Sequence, residues 1–216
     1  MLTIDHPDMK NLLYGLLLTG LIAGCKQKVQ PSQQTTPEEK KEDTTVNIPP
    51  GTATSAARLI VPGKAIGLTS IGEDVQNVIN KLGAPDKGDA AMGKAMATWY
   101  ADHDPKGNQT TIYTERQMGV DDTSRVQQIR ITSSWFSTAD SIHTESTLND
   151  IRKHFAPKKA ATYKEDGKNY FIYTTGQGIT FEITADSVCS GIIVHDSSKT
   201  AISTYLPFHA GIKQIK

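Results

Sequence analysis

The 216-residue sequence predicts an α+β fold of two tandem repeats, each one helix packed on an antiparallel β-meander, preceded by a signal peptide and a disordered linker. Three observations predict it. A short apolar run near the start is followed by a long polar tract rich in Gln, Thr, Pro, Lys and Glu. Two amphipathic stripes of helical period then recur 73 residues apart. Each stripe is followed by stretches of strand-like sequence broken by turn residues.

The apolar run, Leu12 to Ala23, is too short to cross a hydrocarbon core of about 30 Å, which needs about 20 helical residues. It fits the apolar region of a secretory signal, which would occupy residues 1–24. Residues 1–8 carry Asp5, His6 and Asp8 and no Lys or Arg, so Met9-Lys10-Asn11 makes the better signal start. The run closes on Leu21-Ile22-Ala23-Gly24-Cys25, an aliphatic pair and two small residues before a cysteine. This resembles the lipobox of bacterial lipoproteins. The resemblance implies a diacylglycerol on the Cys25 thiol, cleavage just before it, and often acylation (palmitate or a similar chain) of the new amino terminus. Two or three chains matter physically, because one gives only marginal, reversible membrane binding.

Residues 25–58 then read as the lipidated cysteine and its tether. From Lys26 to Ala57 there is almost no large apolar side chain, so the segment cannot offset its ordering entropy by burial. A coil of that length spans roughly 30 Å. Lys26 and Gln27 follow the cysteine with no acidic cluster, which by the sorting rules of lipoproteins resembles an outer-membrane protein facing the periplasm.

The first repeat is expected over 59–136. Its helix runs from Ile71 to Leu82, with Ile71, Val75, Val78, Ile79 and Leu82 on one face. Ser70 and Glu73 form a capping-box pattern, and Gly83 and Pro85 end the helix. Strands follow at Ala95–Ala101, Thr110–Glu115 and Arg125–Thr132. The second repeat is expected over 137–203, its helix from Thr144 to Phe155 carrying Leu148, Ile151 and Phe155. Its strands fall at Asn169–Thr174, Gly178–Thr184 and Gly191–His195, with a weaker one at Ala161–Lys164. Asp166-Gly167 and Gly176-Gln177-Gly178 are the expected hairpin turns. Residues 204–216 form a tail in which Tyr205-Leu206-Pro207-Phe208-His209 is expected to pack over a sheet edge.

The opening phrase Ile71-Gly72, Val75, Val78, Leu82-Gly83 and Pro85 resembles that of the small two-layer repeats of the β-lactamase inhibitor protein and of the related outer-membrane assembly lipoproteins of the SmpA/BamE type. The resemblance covers most of residues 59–196. In the second copy Glu145 stands in place of Gly72, and Phe155-Ala156 stand near Leu82-Gly83. Because those families act through protein–protein contact, the resemblance implies binding.

Chemistry is sparse. Lys and Arg total 23 and Asp and Glu total 23, so no basic surplus exists to neutralise nucleic-acid phosphates. Gly63-Lys64 is followed by Ala65, and Arg58 stands where a phosphate loop needs its first glycine. Asp102-His103-Asp104-Pro105-Lys106-Gly107 starts like a calcium loop but reaches Tyr113 where the closing glutamate belongs, and reads instead as a type I turn. His143 and His154 are not spaced as a helical metal pair. Cys189 and His195 are the one nucleophile–base pair worth weighing, and an extended strand would hold them about 20 Å apart, leaving Cys189 as a turn cysteine. No cofactor, metal site or catalytic residue is therefore expected.

The aromatic residues Trp99, Tyr100, Trp135, Phe136, Tyr170 and Tyr173 are the candidate partner surface. The expected protein is a non-enzymatic, membrane-anchored envelope module that binds another protein as an assembly factor, inhibitor or scaffold. The alternatives are a lipoprotein holding a peptide, sugar or lipid fragment and, less favoured, an envelope hydrolase.

Overall fold

The computed structural model describes residues 55–202, 204 and 207–215. The signal segment, Cys25 and the tether up to residue 54 lie outside them, as do Tyr205 and Leu206 of the tail; the last expected tether residues are part of the fold, with Ala56–Arg58 in a 3-10 turn. Among the described residues no helix is long and apolar enough to cross a membrane.

Three two-residue strands open the chain: β1 (Ile60–Val61), β2 (Ala65–Ile66) and β3 (Thr69–Ser70), paired in that order as a small antiparallel sheet. Helix α1 (Val75–Leu82) follows, then β4 (Lys87–Ala91), β5 (Lys94–Tyr100), β6 (Gln109–Gln117) and β7 (Asp121–Ile131). Helix α2 (Leu148–His154) precedes β8 (Lys158–Glu165), β9 (Lys168–Thr174), β10 (Ile179–Thr184) and β11 (Cys189–His195), and β12 (Lys213–Gln214) closes the described chain.

Both helices begin later than their apolar stripes suggest. Gly72 has φ 82°, and its N–H donates to the Val126 carbonyl at 2.8 Å, so residues 71–74 run beside β7 instead of coiling. The cap is Asp74, whose Oδ1 accepts the Gln76 N–H at 2.9 Å. The Ser70 N–H does donate to the Glu73 carboxylate at 3.1 Å, but as part of a turn ahead of the helix. Likewise Glu145 has φ 79° and donates its N–H to the Cys189 carbonyl, and Thr147 caps α2 through the Asp150 N–H.

The strands correct the expected fold class. The described chain is mostly β, with two α-helices of 8 and 7 residues, and not two tandem repeats each carrying its own helix on its own meander. The reason lies in one pairing. β11 joins β7 antiparallel, from Ile192↔Ile131 to His195↔Gln128, so all the longer strands merge into one nine-stranded sheet of order β12-β8-β9-β10-β11-β7-β6-β5-β4. Its core is likewise shared: Val78, Ile112, Ile129 and Ile131 pack with Ile151, Phe181, Ile192 and Val194. The β4 strand was not anticipated, because its exposed Lys-Gly-Asp-Ala-Ala sequence lacks apolar alternation.

Register assigns each face. The row Ile112, Ile129, Val194 and Ile179 runs across four strands on the core face. One residue along, the row Lys87, Thr98, Thr111, Arg130, Ile193 and Thr180 runs across the opposite face. That face is polar, yet much of it is buried, because the segment after β11 crosses it: Ala201 and His209 are both buried.

Candidate functional site

Charged residues on the polar face meet beneath this C-terminal segment. Arg130 of β7 reaches across β11, past Gly191, to the β10 residue Glu182, and the guanidinium grips the carboxylate with two bonds, Nε to Oε1 at 2.9 Å and the second nitrogen to Oε2 at 2.7 Å. His209 Nε2 reaches Oε1 from the other side at 2.7 Å, and its ring stacks on Tyr163 with centroids 3.8 Å apart. Burial by itself raises the Glu182 carboxyl, but the charges and hydrogen bonds of Arg130 and His209 outweigh it and hold the group well below the usual carboxylate range. Burial pushes the Tyr163 hydroxyl up, and the carboxylate of Glu182 adds to that. Glu182 is thus an anion locked between donors, suited to pinning the segment and not to moving protons near neutral pH.

Beside this cluster, Lys87, Thr98, Tyr100, Arg130, Glu165 and Phe208 line a pocket of about 220 Å3 over the strands β4 to β7. Its floor cation, Arg130, is already committed to Glu182 and to the Gln109 side chain at 3.3 Å.

A second groove, of about 270 Å3, lies where β5 ends and the chain leaves β7. Four of the six candidate aromatics meet here: Trp99, Tyr100, Trp135 and Phe136. Trp99 is sunk into the core and donates its indole N–H to the Gly83 carbonyl at 3.0 Å. Trp135 stays 48% exposed and meets Phe136 edge to face, centroids 5.0 Å apart. The Arg58 guanidinium lies 5.0 Å above the Trp135 ring while its Nε donates to the Trp135 carbonyl at 3.1 Å, holding the indole in place.

The other two aromatics are not part of this surface. Tyr170 stacks on Tyr163, centroids 4.9 Å apart, and Tyr173 packs against the main core. Cys189 is also corrected: it begins β11 and is buried in the core, and burial pushes its thiol up. Its Sγ meets the Gly191 carbonyl, whereas His195 pairs across to Gln128 on the opposite face and bonds Thr180 Oγ1 at 3.2 Å, so the two form no nucleophile–base pair. The calcium-like segment closes as a turn, Gly107 N–H to Asp104 carbonyl at 2.8 Å, and His103 Nδ1 lies 2.5 Å from Asp86. Among the described residues no three His, Cys, Asp or Glu side chains cluster as metal ligands. The tail packs onto the sheet face as well as its edge, through His209 and β12.

Sequence reasoning missed the Arg130–Glu182–His209 cluster, whose members lie up to 79 positions apart. The signal was a glutamate amid Ile-Thr-Phe-Glu-Ile-Thr, where alternation sets Thr180, Glu182 and Thr184 on one face.

Comparison with known proteins gives little more. No family model matches the chain, and no curated protein does. Among solved structures, the chain is similar to a cysteine-rich secretory protein from Staphylococcus aureus subsp. aureus Mu50, at 14% identity and a TM-score of 0.42, over 71% of this chain and 53% of that one. It is also similar to an extracellular protein containing an SCP domain from Bacillus anthracis str. Ames, at 13% identity and a TM-score of 0.38, over 58% of this chain and 44% of that one. The chain thus spans about half the length of the structures it matches. The single nine-stranded sheet and shared core are not the tandem helix-on-meander repeats implied by the resemblance to SmpA/BamE-type and β-lactamase-inhibitor proteins, and that resemblance does not hold. The lipobox, Leu21 to Cys25, lies outside the described residues, and no comparison reports it.

Proposed function

We propose that this protein is an exported, non-enzymatic binding module, held at the outer membrane of a bacterial envelope by acyl chains on Cys25, that docks another envelope protein through the aromatic groove at the end of β5. The observation that carries the reading is Trp135: a large aromatic side chain, half exposed, backed by Phe136 and clamped by Arg58. Tryptophan and arginine held rigidly in a partly desolvated groove are the residues on which interface energy concentrates. The anchor rests on the apolar run ending at Cys25 and on the polar tract behind it. A second reading, a small polar ligand in the pocket over Arg130, is favoured by that pocket's polar walls, but its 220 Å3 falls below the roughly 300–1,000 Å3 of ligand clefts.

In-cell photo-crosslinking from a probe at Ser133, on the groove wall, tests the reading. One envelope protein should be captured, and Trp135→Ala should weaken its capture roughly tenfold or more. Fatty-acid labelling should mark the wild type and not Cys25→Ala. Unchanged capture in Trp135→Ala would move the binding site elsewhere, and equal labelling of both chains would remove the anchor.

A further inference from the structure

The end of the sheet farthest from the aromatic groove carries a different surface. Two hairpins end there side by side, β4–β5 at Met92-Gly93 and β6–β7 at Met118-Gly119-Val120. The Arg116 N–H donates to the Gly93 carbonyl at 2.7 Å, tying one tip to the other, and a β-carbon on Gly93 would come within 3.0 Å of Met118 Cγ. Three large apolar side chains are presented to solvent: Met92 is 70% exposed, Met118 59% and Val120 83%.

Turn chemistry makes this costly. Met92 has φ 52° in a two-residue hairpin loop, where Asn, Asp or Gly is the low-strain choice. Holding a methionine there strains the backbone, and its exposure forgoes the burial that would offset it. In the neighbouring turn Gly119 takes the positive φ of 82°, yet Met118 and Val120 beside it are also apolar and exposed, and this shared apolar choice at two adjoining tips marks a surface kept for contact.

We infer that these paired Met-Gly tips insert into the interfacial layer of a lipid bilayer. Three observations select lipid. The tips form a narrow projecting ridge of three side chains, far short of the roughly 800 Å2 per partner of a stable protein interface. The charges around them are balanced, Lys94, Arg116 and Arg125 against Glu115, Asp121 and Asp122, with Arg125 bonded to Asp121 at 3.2 Å, so contact would rest on apolar insertion and not on anionic headgroups. The choice of a bilayer also rests on the anchor proposed above: the tether joins the fold beside Arg58, at the groove end, and the stretch from Cys25 to Ser55 reaches about 100 Å when extended, enough to run back along the sheet and let the tips meet the same membrane. Strand β6, nine residues and therefore about 30 Å long, would then hold the aromatic groove away from the lipid, facing its partner.

The test uses the full lipidated chain with Val120→Cys carrying an environment-sensitive fluorophore; Cys189 is buried and Cys25 is acylated, so the label is confined to the tip. In phosphatidylcholine vesicles with brominated chains, emission at position 120 should be quenched, while Lys106→Cys, on the loop at the other end of β5, should not. No quenching at 120, or equal quenching at both, overturns the inference. Mass spectrometry of Cys25 separates the two proposals: a lipidated chain with an unquenched tip sinks this inference and spares the anchor. In a Cys25→Ser chain, vesicle flotation that falls roughly tenfold in Met92→Asn, Met118→Ser, Val120→Thr supports the tips even if the anchor fails. Flotation unchanged by the three substitutions overturns them. Asn at 92 suits the turn, so loss of binding will not reflect loss of fold.

Discussion

Single side chains on the polar face of the sheet carry disproportionate weight, because four ionisable groups, Arg130, Tyr163, Glu182 and His209, are buried together. Removing Glu182 would leave Arg130 buried with Gln109 as its remaining side-chain partner. Glu182→Gln should therefore cost about 3–5 kcal/mol, read as a fall in the urea midpoint, whereas replacing the whole pair with apolar residues should cost less. The pH dependence has a definite sign. The folded carboxyl titrates below its unfolded value, so its contribution is complete above the ordinary glutamate range and is lost as pH falls below about 4. Wild type should lose stability steeply there, and Glu182→Gln should show a flatter acid limb. Parallel acid limbs in both proteins would show that Glu182 does not drive the loss.

Among the elements, the β9–β10 turn shows how a loop residue can be set by distant backbone. Gly178 has φ 75°, and a β-carbon there would lie 2.4 Å from the His195 carbonyl and 2.6 Å from Gly63 Cα. Its carbonyl accepts from both Gly63 and His195, so it joins the loop after β1 to the large sheet. Gly178→Ala should lower stability by more than about 2 kcal/mol, while Gly176→Ala, with open space around it, should change it by less than about 0.5 kcal/mol. Similar midpoints in thermal melts of the two variants would contradict this account. The Asp166-Gly167 turn was readable because both residues adopt positive φ readily, at 48° and 75°. Met92-Gly93 was not readable, because methionine at a φ of 52° stands where Asn, Asp or Gly would mark the turn.

For the whole molecule, the β7–β11 pairing decides how the chain folds. Apolar side chains from both halves fill one core, and neither half has a complete sheet face or core of its own. The two-repeat expectation would allow the halves to fold apart. The shared core demands that chains ending at or starting from the loop near Asp140 fail to show a melting transition alone, while the intact protein melts in one cooperative step. Independent melting of either half by circular dichroism would restore a repeat organisation.

Local signals in the sequence determined the helix positions, the major strand centres, the Asp166-Gly167 turn and the pairing of an apolar run with a polar tract before the fold. Each depends on residues within a few positions of one another, where periodicity and backbone preference act directly. The late helix starts escaped because Gly72 and Glu145 are held by hydrogen bonds to strands 54 and 44 residues further on. Only the tertiary structure decided that the strands form one sheet, that Tyr170 and Tyr173 leave the aromatic surface, and that Arg130, Glu182 and His209 meet beneath the C-terminal segment. Those outcomes depend on which polar face a remote segment covers, and residue alternation records a face without recording what lies on it.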